Sequence, residues 1–348
     1  MPATFDTSSL GEPVAIGQIN RELKKLWDTG DGTLTRASLI NLAVYCRTPE
    51  QLLKNTDLIS EFTRTHACRA LVICVDRKAA QPNASAWINA HCHLSGGNKH
   101  VCCEQISFLL EGELKGRFTN IVFSNLDSDL PLYFWWQGDI SENLNPHLWS
   151  WIDRLIVDSL DWKEPRPQFD RLRASLAQTK AHLALRDLNW TRSLSARQAL
   201  SQIFDHPDNS PHLSRLRKVS ITHAPENRST ALLLLGWLAA QLQWKHRGNF
   251  PITFTNADGT KVAIELKSAP GAALGEITLA SDDGRFILHQ EPKSRFFQAT
   301  LCPTGNCDYH HIYPASTGDL LELLDQEMGR ASTSTIYLAA LSKIEELL

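Results

Sequence analysis

Ser38-Leu39-Ile40-Asn41-Leu42-Ala43-Val44-Tyr45-Cys46, then Thr48-Pro49-Glu50-Gln51, then Arg69-Ala70-Leu71-Val72-Ile73-Cys74-Val75 is the stretch that decides the fold class. Its two outer runs are dense in apolar residues without alternation, as strands covered on both faces are. Between them, Thr48 at N-cap, Pro49 at N1 and Gln51 at N3 predict a helix start. That helix should run to about Thr63. Strand, helix and strand in this order form a crossover unit with two parallel strands, because a tight turn alone returns a chain only antiparallel.

Working outward, residues 1–13 are polar and unpatterned and read as a disordered arm. Ile16, Ile19, Leu23, Leu26 and Trp27 fall on one face of a short helix. Downstream, Trp87–Leu94 and His100–Leu109 read as strands joined by the turn Ser95-Gly96-Gly97-Asn98, and residues 111–124 as a helix. Leu130–Trp136 is a strand with its proline near the start, where a missing donor is tolerated. Arg154–Val157 is a further short buried strand. Asp161-Trp162-Lys163-Glu164-Pro165-Arg166-Pro167 is rich in proline and charge and marks a domain boundary. A mixed α/β sheet domain is thus expected over 14–163 and a second domain over 164–348.

The second half has a different rhythm. Helices are expected at about 168–185 and 194–204, a strand near 216–222, and a buried helix at 229–244. Short strands at Pro251–Thr255, Lys261–Leu266, Glu276–Ala280, Arg285–His289 and Arg295–Leu301 are punctuated by Asp258-Gly259, Pro270-Gly271 and Asp283-Gly284. Such spacing predicts an antiparallel meander, with helices at 317–328 and 333–347 covering one face. The fold class is α/β, or α+β over the whole chain.

Composition excludes extremes. Apolar residues make up 43% and charged residues 21% of 348 positions, with a formal charge of −3. That balance argues against nucleic acid or an anionic membrane as the main partner, since either needs a concentrated positive face. The N-terminus lacks a secretory pattern, and the most apolar run, Ala231–Ala240, is about half of what spans a bilayer as a helix. A cytoplasmic location follows as the expectation, with thiols in a reducing compartment. The dinucleotide fingerprint G-x-G-x-x-G, the P-loop, the G-x-S-x-G elbow and H-E-x-x-H are all missing, so neither an enzyme nor a cofactor is expected.

Three groups of residues invite chemistry. Cys302 and Cys307 flank a Pro-Thr-Gly-Asn turn, followed by His310 and His311. They read as a redox pair, as two unconnected thiols in a surface turn, or as zinc ligands with a spacing unlike any known finger. His91 and His93 share one strand face and offer a second metal reading, although buried packing explains them and Cys92, Cys102 and Cys103 more simply. Trp135-Trp136 places one ring on each side of a strand, and Arg171, Arg173, Lys180, Arg186, Arg192 and Arg197 form either a solvated face or a patch for an acidic protein.

Arg69-Ala70-Leu71-Val72-Ile73, Leu130-Pro131-Leu132 leading into Trp135-Trp136, Asp153–Ser159, Asp187-Leu188-Asn189-Trp190-Thr191-Arg192, Phe204-Asp205 and Leu235-Gly236-Trp237-Leu238 form an ordered set of segments, and this set resembles the OpcA family. The resemblance spans roughly residues 38–240 and departs at Ala196, where a tryptophan is expected before Arg197. It implies an accessory protein that binds glucose-6-phosphate dehydrogenase, favours its active oligomer and raises its activity in the oxidative pentose phosphate pathway. It also implies thiol control by thioredoxin, for which Cys302 and Cys307 are the candidate pair. Trp136, Trp190, Arg192 and Arg197 are the candidate partner-binding residues. The rivals are a metal-dependent α/β enzyme and a sugar-phosphate sensor.

Overall fold

The computed structural model describes residues 6–28, 34–94, 100–112, 117–140, 146–178, 183–249, 251–304, 307, 309–329 and 334–348. The chain forms two compact units, one of residues 1–161 and 168–186, the other of residues 162–167 and 187–348. The helix expected at the start of the second domain therefore belongs mostly to the first unit.

In chain order, the first unit holds β1 (Glu12–Val14), α1 (Ile19–Asp28), β2 (Leu34–Arg36), β3 (Ile40–Cys46), α2 (Pro49–Phe62), β4 (Cys68–Asp76), β5 (Asn83–Leu94) and β6 (His100–Glu111). There follow α3 (Arg117–Asn125), β7 (Leu132–Trp136), α4 (Pro146–Trp149), β8 (Ile152–Val157), α5 (Pro165–Gln178), which begins in the segment assigned to the second unit, and β9 (Ala184–Asp187). The strands lie in the order β1-β5-β6-β4-β3-β7-β8-β9, with β2 also pairing β6. β6, β4, β3, β7 and β8 run parallel. Chain order reverses between β3 and β7, so the sheet is doubly wound with its switch point there. The crossover read from Ser38–Val75 is its first βαβ unit.

Two expectations in this unit are corrected. The arm is ordered from residue 8: Leu10 is fully buried and β1 pairs antiparallel with β5, Glu12 opposite Ile88. Residues 1–5 lie outside the described residues, as does the turn at 95–98. The helix expected to reach residue 185 ends at Gln178, and Ala184–Asp187 instead forms the last strand, all four residues buried. Ala-Leu-Arg are good helix formers; burial beside β8 overrides that preference.

The second unit comprises α6 (Leu188–Arg192), α7 (Leu194–Asp205), β10 (Leu216–His223), α8 (Arg228–Gln241), β11 (Lys245–Asn249), β12 (Ile252–Thr255) and β13 (Lys261–Ser268). Then come β14 (Leu274–Ser281), β15 (Arg285–His289), β16 (Phe296–Cys302), β17 (Tyr309–Pro314), α9 (Leu320–Met328) and α10 (Thr335–Ile344). Strand order is β11-β12-β13-β10-β14-β15-β16-β17. From β14 to β16 the meander is antiparallel as expected, and β17, which was not expected, extends it antiparallel to β16. It is not a meander throughout, because β10 lies between β13, to which it is parallel, and β14, to which it is antiparallel. The link from β10 to β13 carries α8 and the β11–β12 hairpin, long enough to return the chain in parallel. Alternate residues such as Val219, Ile221, Ile277, Leu279, Phe286 and Leu288 form the core face. α8 is apolar all round and buried at nine positions, as a helix sandwiched between a sheet and other helices must be.

Candidate functional site

In a doubly wound sheet the ligand crevice lies outside the carboxyl ends of the strands at the switch point. Here that place is bounded by Cys46-Arg47-Thr48-Pro49 after β3 and by Trp136-Gln137-Gly138-Asp139 after β7. The chain fills it with its own side chains. Thr48 Oγ1 accepts from Gln51 N at 3.3 Å, while Gln51 Oε1 accepts from Arg47 N at 2.9 Å. This reciprocal cap occupies donors at the start of α2 that a bound phosphate would need.

Arg47 extends across the crevice and donates to the Asp139 carbonyl, with the Asp139 carboxylate 3.9 Å away. Gly138 makes room for it: its φ is +79°, and a Cβ there would lie 3.2 Å from Arg47 Cζ. Below, Asn55 and Gln137 exchange two amide hydrogen bonds, at 3.0 and 2.8 Å. Trp136 stacks on Tyr45 with ring centroids 3.9 Å apart and donates Nε1 to the Asp139 carbonyl at 3.0 Å. Burial pushes the Tyr45 phenol up, with Arg47 opposing the shift. No glycine stands between Cys46 and Gln51 to let a pyrophosphate approach the backbone.

The cysteines of the second unit lie on the β16–β17 hairpin. Buried Cys302 ends β16 and is bonded to exposed Cys307, with Cα atoms 4.3 Å apart. Both sulfurs are thereby taken up and cannot ligate zinc in this state. His310 and His311, opposite Thr300 and Ala299, alternate across β17.

A second bridge was not read from the sequence. Cys92 on β5 and Cys102 on β6 are directly opposed in register and bonded, Cα atoms 4.0 Å apart. Their reading as packed core thiols is corrected: Cys102 is buried but Cys92 is exposed. The signal was present, since a turn centred near residue 97 pairs 94 with 100 and hence 92 with 102. Cys46, Cys68, Cys74 and Cys103 are free and buried. Burial pushes the thiols of Cys68 and Cys103 up, which makes them poor nucleophiles.

The histidine pair is engaged in the fold. His91 is buried with Nε2 2.9 Å from Gln105 Oε1, and His93 Nε2 lies 3.0 Å from Thr63 Oγ1. Among the described residues no group of three His, Cys, Asp or Glu is placed to hold a metal ion.

The expected partner-binding residues are mostly interior. Trp136, Trp190 and Arg197 are buried, at 3%, 4% and 9% exposure, so they cannot act as surface anchors in this conformation; only Arg192 is half-exposed. Arg197 lies over the Trp190 ring at 3.6 Å and donates to Ser193 Oγ and the Trp190 carbonyl. Asp187 caps α6 through Asn189 N and accepts from the Tyr337 hydroxyl at 2.9 Å. Arg186 is buried as well, and Lys180 lies outside the described residues.

These features define a two-sheet α/β protein of the doubly wound class whose cofactor crevice is shut by its own side chains. Residues 60–174 match the family described as the glucose-6-phosphate dehydrogenase subunit N-terminal domain, and residues 183–341 match its C-terminal domain counterpart. The chain belongs to the OpcA family of glucose-6-phosphate dehydrogenase assembly proteins. It is 30% identical over 205 residues to the OxPP cycle protein OpcA of Nostoc punctiforme, covering 55% of this chain and 43% of the relative. With the OpcA of Synechocystis it shares 25% identity, covering 66% of this chain and 49% of that one. With that of Synechococcus elongatus it shares 25%, covering 84% and 71%. The match thus spans about half the length of the first two relatives. Among the described residues no helix is long and apolar enough to cross a membrane.

Proposed function

We propose that this protein is a non-catalytic assembly factor and activator of glucose-6-phosphate dehydrogenase, acting by binding the folded enzyme, in the cytoplasm. Family membership carries the partner; the closed crevice, with Arg47 and the α2 cap where a dinucleotide would lie, supports the non-catalytic role. An activator shifts the enzyme's conformational or oligomeric equilibrium only by its difference in affinity for the two states.

In this reading the Cys302–Cys307 bond sets that difference. The bond is short in sequence, with one sulfur exposed, so it constrains little unfolded chain and is open to attack by a thiolate. A dithiol protein of the thioredoxin type would pass two electrons and two protons to it. The bridge becomes two thiols, the donor becomes a disulfide, and the β16–β17 hairpin relaxes.

The test is dehydrogenase turnover and substrate affinity measured with the oxidised and the reduced chain. Addition of the oxidised chain is expected to lower KM or raise kcat, and reduction to change that effect. Kinetics untouched by either form overturn the activator reading. A redox response undiminished in Cys302→Ser overturns the switch and leaves the activator standing.

A further inference from the structure

Trp151 stands apart from the other tryptophans. Of ten in the chain it alone is exposed, at 51%, the others being buried or half-buried. It closes the α4 turn, donating its backbone N–H to the Leu148 carbonyl at 3.1 Å, and β8 begins at the next residue. A rigid strand therefore fixes where the indole is presented.

The ring borders a cavity of about 540 Å³, whose apolar wall includes Phe123, Leu126 and Leu130 and whose rim carries Asp127 and Asp153. Trp151 meets Phe123 edge-on with centroids 5.5 Å apart, and His147 packs 5.1 Å from Phe123. Asp153 accepts from Leu132 N at 2.8 Å, and among the described residues its carboxylate has no other hydrogen-bond donor. Asp127 faces Arg36 at 3.9 Å, but among the described residues neither Arg36 nor any other arginine or lysine lines the cavity. The cavity lies at the amino ends of β7 and β8, the opposite end of the sheet from the closed crevice.

An indole face beside two carboxylates is complementary to a cation that also carries an apolar stem. We infer that this cavity is a docking site for a protein partner, which inserts an arginine or lysine side chain between the Trp151 ring and the Asp153 carboxylate. Tryptophan is among the residue types enriched at interface hot spots, and a carboxylate rim steers a basic patch toward it. The inference rests on the reading that the partner is glucose-6-phosphate dehydrogenase, and it names the surface used.

The experiment measures binding of the full chain to immobilised glucose-6-phosphate dehydrogenase at low and at physiological salt. Trp151→Ala is expected to weaken binding about tenfold or more. Asp153→Asn, which keeps an acceptor for Leu132 N, is expected to weaken it several-fold and to flatten its salt dependence. A second readout does not rely on the variants' affinity. Acrylamide quenching of the Trp151 component, isolated as wild type minus Trp151→Phe, is expected to fall on complex formation. If the wild type binds while both variants bind equally well and Trp151 stays quenchable, the docking site is overturned and the partner reading stands. If the wild-type chain does not bind the dehydrogenase, both are overturned.

Discussion

His91 illustrates how a residue that invites a metal reading is explained by its surroundings. Burial holds its imidazole below the usual histidine value, the Gln105 hydrogen bond opposes that, and His93 adds a smaller lowering. The folded chain therefore resists a proton that the unfolded chain accepts near pH ~6.5. Stability contributed by this group is fully present above that pH and is lost as pH falls below it, toward the lowered folded value. The slope is at most about 1.4 kcal/mol per pH unit. His91→Gln is expected to flatten that acid limb in denaturant unfolding measured across this range. Trp190 and Arg197 teach the same lesson from the other side. Each side-chain type is common at interfaces, yet here cation and ring satisfy one another inside the second unit. A one-dimensional pattern names the chemistry available at a position, whereas the partner is set by residues far away in the chain.

Elements were legible wherever local signals and burial agreed. The βαβ unit at 38–75 carried both an unbroken apolar pattern and a complete helix cap, and the strands from β12 to β15 are separated by glycine turns at regular intervals. β9, β11 and β17 escaped because Ala-Leu-Arg-Asp, Lys-His-Arg-Gly-Asn and Tyr-His-His-Ile-Tyr-Pro have no strand-like alternation of apolar residues. β10, β13 and β14 were each read as strands, but the insertion of β10 between the other two was not, since strand order is a long-range property. The pairing of α8 with α10 is likewise invisible in sequence, although one glycine depends on it. A Cβ at Gly236 would lie 2.4 Å from the Ala340 carbonyl oxygen and 3.0 Å from Ile344 Cγ2. The first of these is backbone and cannot move aside without displacing α10. Gly236→Ala is expected to destabilise the chain by about 1–3 kcal/mol, despite the better helix propensity of alanine, as read from the denaturation midpoint.

At the scale of the molecule, a doubly wound sheet is present without the glycine-rich fingerprint of dinucleotide-binding folds. The lack of a G-x-G-x-x-G after β3 was readable in the sequence. What replaced it was not readable: Arg47 and Asp139 lie far apart in sequence and meet only because β3 and β7 are neighbours. Because donors at the α2 start are taken and Arg47 spans the crevice, the chain is expected to give no saturable heat of binding with NADP+ or with glucose 6-phosphate in calorimetry. A sub-millimolar dissociation constant for either would contradict the closed crevice. The family's partner was legible only through the ordered resemblance of short segments, because nothing in composition or charge identifies a dehydrogenase as the protein to be bound.

The late arrival of β9 has a consequence for synthesis. The first sheet is complete up to β8 when Val157 has formed, yet its last strand comes only with Ala184–Asp187, after the passage through Trp162–Pro167 that belongs to the other unit. While that passage and α5 are being translated, at about 5–20 residues per second, the outer edge of β8 has no neighbour. For roughly a few seconds the nascent chain displays an apolar parallel edge, Ile152 to Val157, to the crowded exit of the ribosome. A stop or strong pause within that interval leaves a fragment whose sheet is open on one side, so the yield of folded protein depends on continuous elongation through β9.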